Sequence, residues 1–152
     1  MADAGLTQQG TLTQIAFTVP DIEVASKAWA AALGVPVPEW KLTAPVEQAH
    51  TLYQGRPTPA RAKLAFFHLG QVSIELIEPV DAPSTWRDGL DAVGYGVHHV
   101  AFHVKDAQTA VAALAKQGAA VVQKGDYTGG QYIYIDSIKQ LGVTLELLAD
   151  RP

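Results

Sequence analysis

An internal repeat constrains the fold of this chain more than any other feature. The segment TQIAFTVPDIEVASKAWA, which begins at Thr13, aligns without a gap with HHVAFHVKDAQTAVAALA, which begins 85 residues later at His98. A second matching pair, VSIELIEP from Val72 and VTLELLAD from Val143, is separated by 71 residues. Self-similarity of this kind is the signature of a duplicated structural unit. We therefore predict two copies of one unit, of which the second has the shorter middle.

The two copies share one order of predicted secondary structure. Each begins with an alternating apolar segment, LTQIAFTV or VHHVAFHV, which predicts a strand. Asp21 and Asp106 then occupy helix N-cap positions, and residues at helical spacing follow up to Gly34 and Gly118. Three further strands are predicted after each helix, near VPEWKL, KLAFFHL and VSIELIE in the first copy and near AAVVQK, QYIYID and VTLELLA in the second. The repeated unit is therefore βαβββ.

The predicted fold class is α+β, with two tandem βαβββ modules in one domain over residues 1–152. Module 1 covers about residues 11–80, and module 2 covers about residues 97–150. The linker at about 81–96 carries Pro, Asp, Gly and Trp86 and is predicted to contain a short helix around Ser84 to Leu90.

Composition and charge exclude several classes of partner. The net charge is −4, and the eleven Lys and Arg residues are scattered, so we expect no nucleic-acid partner. The chain has no cysteine, so any metal must be held by nitrogen and oxygen atoms. The first ten residues, MADAGLTQQG, lack the basic and apolar parts of a secretory signal, and no apolar run is long enough to span a membrane. We predict a cytoplasmic location.

Sorting the predicted strands into two faces brings out a candidate metal site. Side chains alternate along a strand, and the apolar face of each strand is expected to lie under a helix. On the opposite face, each of four strands carries one polar side chain near its middle: Gln14, Glu75, His99 and Glu146. One imidazole, two carboxylates and one amide oxygen suit a divalent ion such as zinc, nickel, cobalt, manganese or iron(II). Without a cation, two inward carboxylates would repel each other.

The same sorting separates the remaining histidines. His98 shares the predicted helix-side face with Val100, which favours a structural role. His103 lies on the face of the four polar side chains, where it either supports a metal ligand or lines the pocket, or has no more than a structural role. His50 and His68 are expected at the surface or in loops.

The motifs TQIAFTVPD, IELIEP, GVHHVAFHVKD and TLELL resemble those of the vicinal oxygen chelate superfamily. This superfamily includes glyoxalase I, methylmalonyl-CoA epimerase, extradiol dioxygenases and the fosfomycin and bleomycin resistance proteins. The resemblance covers about Leu12 to Ala149 and is strongest to the epimerase and glyoxalase I branch. It implies an open, curved sheet, or cup, around one divalent metal ion, with the helices on its outer face. It also implies the same four metal ligands and a homodimer.

The resemblance implies a metal-dependent isomerase or lyase that removes a proton next to the carbonyl of a small carbonyl or thioester substrate. By resemblance, Glu146 is the base that leaves the metal. The proton is returned by Glu75 in a glyoxalase I-like site, or by Glu47 in a methylmalonyl-CoA epimerase-like one. The alternative is a non-catalytic protein of the bleomycin-resistance type, which sequesters a small molecule in a dimer groove without a metal.

The family also suggests residues that contact the substrate. The segment GDYTGGQY borders the pocket in the family, which places Tyr127, Gln131 and Tyr132 as candidates beside His103. Trp86 and Tyr95 are aromatic residues, and each is expected either to line the cup or to pack within the linker.

Overall fold

The structure is a computed structural model that describes residues 5–151. Its strands are β1 (Gly10–Thr18), β2 (Lys41–Leu42), β3 (Leu52–Tyr53), β4 (Arg56–Pro57), β5 (Ala62–Leu69), β6 (Val72–Pro79), β7 (Gly96–Val104), β8 (Ala120–Tyr127), β9 (Gly130–Asp136) and β10 (Thr144–Asp150). Its helices are α1 (Leu6–Gln9), α2 (Ile22–Leu33), α3 (Val46–Ala49), α4 (Thr85–Val93), α5 (Ala107–Lys116) and α6 (Ile138–Leu141). Residues 1–4, part of the segment in which we expect no secretory signal, lie outside the described residues, as does residue 152.

One curled sheet contains all ten strands, in the order β2-β5-β6-β1-β7-β10-β9-β8-β3-β4. The first strands of the two repeats, β1 and β7, pair antiparallel at its centre. Each is flanked by the last strand of its own repeat, because β6 lies parallel to β1 and β10 lies parallel to β7. This arrangement confirms the predicted α+β fold of two βαβββ units. The module boundaries stay a prediction.

Helices α2 and α5 cover the outer face of the sheet, as predicted. Asp21 caps α2 by accepting hydrogen bonds from the backbone N–H groups of Glu23 and Val24, at 3.0 and 3.1 Å. Asp106 caps α5 in the same way from the N–H of Thr109, at 3.1 Å. Under α2 lies a core of buried apolar residues: Val19, Ile22, Ala25, Ala30, Ala65, Phe67 and Leu76. Under α5 lies its counterpart: Val104, Ala107, Ala110, Leu114, Ala119, Ile133, Ile135, Leu145, Leu147 and Ala149.

The strand predicted near VPEWKL, residues 37–42, is shorter than expected. Only Lys41–Leu42 pairs with the sheet, at the edge beside β5. Pro36 and Pro38 in the preceding segment have no N–H to donate to a strand ladder, which explains the truncation. The chain then continues to β3, which pairs with β8 near the opposite edge of the sheet. The segment between β2 and β3 therefore connects the two edges of the curled sheet.

The predicted linker helix is present as α4, and it lies on the inner face of the cup. Ser84 caps it through a hydrogen bond from the N–H of Arg87, at 3.0 Å. The buried ring of Trp86 packs against Ala16 and Ile77, both on the inner face, and its Nε1–H donates to the hydroxyl of Tyr134 at 2.9 Å. Unlike α2 and α5, this helix therefore covers part of the polar side of the sheet.

Among the residues that the structure describes, no helix combines the length and the apolar character needed to cross a membrane.

Candidate metal centre

Four side chains from four neighbouring strands converge on the inner face of the cup: Gln14 from β1, Glu75 from β6, His99 from β7 and Glu146 from β10. Nε2 of His99 lies 3.2 Å from Oε2 of Glu75 and 2.9 Å from Oε2 of Glu146. It also lies 3.5 Å from the side-chain oxygen of Gln14. The exposed fractions are 5% for Glu75, 0% for His99 and 4% for Glu146. The structure thus brings together all four predicted ligands, three of them buried and Gln14 half-buried.

Two alanines make room for the cluster. Ala16 lies opposite His99 in the β1–β7 pairing and opposite Glu75 in the β1–β6 pairing, and it is fully buried. Ala101 is its equivalent in the second repeat. It lies opposite Gln14 in the β1–β7 pairing and opposite Glu146 in the β7–β10 pairing. Directly opposite residues point to the same side of a sheet and stand about 4.5–5.5 Å apart. The small methyl side chains therefore let the longer ligands on both sides meet above them.

The electrostatics of the cluster favour a proton on His99. Burial acts to lower the pKa of His99, but Glu146 and Glu75 outweigh it and raise the pKa to about 10. Burial raises the pKa of Glu75, the hydrogen bond and charge of His99 act to lower it, and the charge of Glu146 raises it further. A cation that binds here must therefore displace a proton from His99.

The amide of Gln14 fits two states of the site. With its oxygen towards His99, it offers an oxygen ligand to the centre of the cluster. With the amide reversed, its nitrogen donates to Oε2 of Glu75 at 3.2 Å and to Oε2 of Glu146 at 3.0 Å. The choice between the two orientations depends on the hydrogen-bond partners present. Gln14 can therefore serve both the protonated cluster and a metal ion.

The donor set fits a divalent cation. The potential ligand atoms of Glu75, His99 and Glu146 all lie within 4.8 Å of one another. Ligands about 2.0–2.2 Å from one ion are separated by distances of this order, and imidazole and carboxylate are regular ligands of zinc and similar ions. No thiolate is present, so the site suits borderline to hard ions.

The prediction that His98 lies on the helix-side face is wrong. The pairing of β7 with β1 shifts by one residue here, because His99 lies opposite Ala16 while Val97 lies opposite Phe17. His98 is the extra residue of this bulge, which reverses the side-chain alternation. It is 7% exposed, and its ring packs 5.2 Å from the ring of Tyr134 on the inner face.

His98 instead forms a chain of hydrogen bonds with the metal centre. Its Nδ1 lies 2.8 Å from Nδ1 of His99, and its Nε2 lies 3.1 Å from the backbone oxygen of Thr85 in α4. Burial, together with the charge of His99, lowers the pKa of His98 to about 3. Strand alternation could not have revealed this contact. The signal in the sequence was the adjacent pair of histidines itself.

Three of the four predicted substrate-contacting residues lie on or near the inner face. His103, at the end of β7, places Nε2 3.0 Å from Oδ1 of Asp150. Tyr127 is partly exposed at the end of β8, and its pKa is raised by burial and by the charges of Glu146 and Asp150. The hydroxyl of Tyr132 accepts a hydrogen bond from Nε2 of the buried Gln123, at 3.2 Å.

Gln131 does not lie on that face, and its contact with a substrate stays a prediction. Its neighbours along β9, Tyr132 and Tyr134, point inward, so alternation directs Gln131 outward. There it lines a cleft of the outer edge with other polar residues: His50, Lys124, Asp126 and Arg151.

The other candidates lie away from the cluster or at its margin. Glu47 is exposed on the short helix α3. His50 follows this helix and places Nδ1 2.9 Å from Oδ2 of Asp126. His68 is exposed, as predicted, and lies on β5 with Nδ1 3.0 Å from the hydroxyl of Ser73. Trp86 lines the inner face, whereas Tyr95 is 51% exposed.

Known proteins share both the sequence pattern and the fold. The uncharacterized protein YqjC of Bacillus subtilis (strain 168) is 30% identical over 99 residues, which span 63% of this chain and 71% of that protein. The hypothetical protein BH1468 of Bacillus halodurans C-125 superimposes with a TM-score of 0.66 at 19% identity, over 94% of this chain and 96% of that one. Methylmalonyl-CoA epimerase from Mycobacterium tuberculosis also superimposes with a TM-score of 0.66, at 23% identity, over 93% of this chain and 89% of that one. Residues 13–135 match the glyoxalase/bleomycin resistance protein/dioxygenase superfamily, and the chain belongs to this superfamily.

Proposed function

We propose that this protein is a metal-dependent isomerase or lyase that removes a proton from the carbon next to a substrate carbonyl. The observation that carries the proposal is the convergence of His99, Glu75 and Glu146 in a buried cluster. Burying charged groups together is expensive in free energy, and hydrophobic residues of similar size would stabilise a sheet at least as well. A function for the cluster explains why these side chains occupy the centre of the cup.

Gln14, Glu75, His99 and Glu146 would hold one divalent ion, of zinc, nickel, cobalt, manganese or iron(II). When bound, such an ion supplies a Lewis acid that stabilises negative charge on a substrate oxygen, an effect worth several kcal/mol. Glu146 is the proposed base. It lies on β10, on the other side of His99 from Glu75 on β6, so the two carboxylates flank the centre. Glu75 is the proposed group that returns the proton.

A thioester substrate is supported by the solved structures that share this fold. Several are methylmalonyl-CoA epimerases, one of them in complex with methylmalonyl-CoA and NH4+. We propose that the substrate enters at the end of the cup away from α4, where His103 and Tyr127 line the inner face, and that it extends towards Tyr132, which packs against Trp86 of α4. Assembly as a homodimer and a cytoplasmic location belong to the same proposal.

Metal binding tests the first part of the proposal. Calorimetric titration of the purified protein with each of the five ions is expected to show one site per chain. His99→Ala and Glu146→Gln should weaken that site by at least tenfold, because each removes one ligand. The control His50→Asn lies at the outer edge, where asparagine tolerates the left-handed backbone, and should bind as the wild type does. A protein that binds none of the five ions would favour the sequestering alternative.

Hydrogen exchange at carbon tests the chemistry. The metal-loaded protein in D2O is expected to exchange the proton next to the carbonyl of a 2-methylmalonyl thioester. Glu146→Gln should slow the exchange by about 10²–10⁴-fold, the usual contribution of a general base. Exchange into the hemithioacetal of glutathione and an α-ketoaldehyde would instead indicate a glyoxalase I-like activity. If neither compound exchanges, the proposed substrate classes are wrong.

A further inference from the structure

We infer that His98 is a positioning residue, which fixes the tautomer of the ligand His99 and connects it to the linker helix α4. The inference rests on the proposed metal centre, but its evidence is a separate set of contacts. The two Nδ1 atoms lie 2.8 Å apart, and Nε2 of His98 lies 3.1 Å from the backbone oxygen of Thr85. Both histidines are buried, so water does not compete for these hydrogen bonds.

The positions of the hydrogen atoms in this chain of hydrogen bonds can be assigned from the groups at its two ends. A carbonyl oxygen only accepts, so Nε2 of His98 must carry a hydrogen and donate it to Thr85. The opposite end is Nε2 of His99, which points at Glu75 and Glu146 and must be free of hydrogen to bind a metal. His99 then carries its hydrogen on Nδ1 and donates it to Nδ1 of His98. Every donor in this arrangement has one acceptor.

The surroundings hold His98 in this position. The bulge in β7 directs its ring to the inner face, and α4 approaches the ring closely at Gly89. A Cβ atom at Gly89 would lie 3.0 Å from Cδ2 of His98, so a larger residue would displace the ring. The backbone N–H of Thr85 is held in turn by the side-chain oxygen of Gln123, at 2.8 Å.

The chain of hydrogen bonds gives the linker a role in the metal centre. Thr85 begins α4, and α4 joins the two repeats of the protein. A shift of this helix would remove the acceptor of His98, and His98 would then no longer hold the ring of His99. Partners of this kind orient metal-binding histidines, and their loss lowers metal affinity by about 10–100-fold.

Nitrogen NMR of the wild type tests the assignment directly, because bare and protonated ring nitrogens have distinct 15N chemical shifts. With zinc added, we expect His98 to carry hydrogen on Nε2 only and His99 on Nδ1 only. Without metal, His98 should keep the same tautomer. A hydrogen on Nδ1 of His98 in either state would overturn the inference. If no zinc binds but His98 shows this tautomer, the proposed function fails and the hydrogen-bond chain stands.

Variants of His98 test the positioning role. His98→Leu removes the acceptor of His99 and should weaken zinc binding by about 10–100-fold. His98→Asn keeps a side-chain oxygen near the place of Nδ1 and should restore most of the affinity, an outcome that a merely space-filling role would not produce. His68→Ala, on β5, is the control and should not change the affinity. Wild-type affinity in His98→Leu, or equal losses in His98→Leu and His98→Asn, would contradict the inference. If either variant fails to fold, the NMR result of the wild type alone decides whether the inference holds.

Discussion

Two adjacent histidines in this protein have pKa values that move in opposite directions. His98 contacts a carbonyl oxygen and another imidazole, and burial lowers its pKa to about 3. His99 is as deeply buried, but the carboxylates of Glu75 and Glu146 raise its pKa to about 10. Burial alone disfavours a charged imidazole, so the difference comes from the carboxylates. Strongly perturbed groups in a cluster of this kind are typical of functional sites.

The stability of the metal-free protein should depend on pH through these two residues. A raised pKa stabilises the fold below the unfolded value of 6.5, and for His99 this contribution is lost as the pH rises towards about 10. A lowered pKa works in the reverse sense, so the contribution of His98 is lost as the pH falls from 6.5 towards about 3. We expect the free energy of unfolding, measured with urea in the presence of a chelator, to be highest in mildly acidic solution.

Variants of the two histidines should show which residue causes the loss of stability on each side of this pH profile. His99→Gln should flatten the decline above pH 6.5, relative to the wild type. His98→Asn should flatten the decline below pH 6.5. A wild-type stability that rises steadily between pH 6.5 and 9 would show that His99 is not held as an imidazolium.

The alanines under the cluster give a second prediction at the scale of single residues. Ala16→Val adds two methyl groups between His99 and Glu75, and overpacking of this kind costs about 1–3 kcal/mol of unfolding free energy. It should also lower metal affinity, because the added methyl groups separate the ligands. Ala65→Val is the matched control: this alanine is equally buried, but it lies in the core under α2. It should lower the unfolding free energy without changing metal affinity in a calorimetric titration.

At the scale of secondary structure, the linker helix depends on one buried amide. The side-chain oxygen of Gln123 accepts from the N–H of Thr85 at 2.8 Å, and its nitrogen donates to the hydroxyl of Tyr132 at 3.2 Å. Gln123→Leu would leave both partners buried without these hydrogen bonds, at a cost of about 1–3 kcal/mol each. Amide hydrogen exchange should accelerate in the first turn of α4. The exposed control Gln108→Leu on α5 should not change it.

The sequence predicted most elements because the core of each repeat is regular. The N-caps Asp21 and Asp106, the helical spacing in α2 and α5, and the alternation in β1 and β7 outside their two bulges all act locally, and each matches the structure. The convergence of the four ligands followed from alternation as well. No bulge interrupts β6 or β10 at the site, and the two bulges of the β1–β7 pair lie beside Gln14 and His99 and leave both residues in register with the buried alanines.

The missed features depend on contacts between distant segments. The bulge at His98 arises from the pairing of β7 with β1, and the inward position of α4 arises from Trp86 packing against Tyr134. The crossing from β2 to β3 depends on the curl of the entire sheet. A single sequence gives no measure of these long-range pairings.

At the scale of the whole molecule, the candidate metal site lies at the contact between the two repeats. Gln14 and His99 occupy equivalent places 85 residues apart, one on each central strand, and Glu75 and Glu146 lie on the strands that flank them. Each repeat therefore supplies two ligands. An ion bound here would connect the repeats in addition to the backbone pairing of β1 with β7.

A bound ion should therefore raise the melting temperature of the whole chain in one transition. A ligand at 100 times its dissociation constant stabilises the folded state by about 2.7 kcal/mol. For a domain of this size each kcal/mol corresponds to about 2–4 °C, so we expect an increase of about 5–10 °C over the protein in chelator. Calorimetry should show a single peak, because unfolding of either repeat removes two ligands. At the same ion concentration, His99→Ala should show at most about half of this increase, because its affinity is at least tenfold lower. Two separate peaks would indicate that the repeats unfold independently and that the ion does not join them.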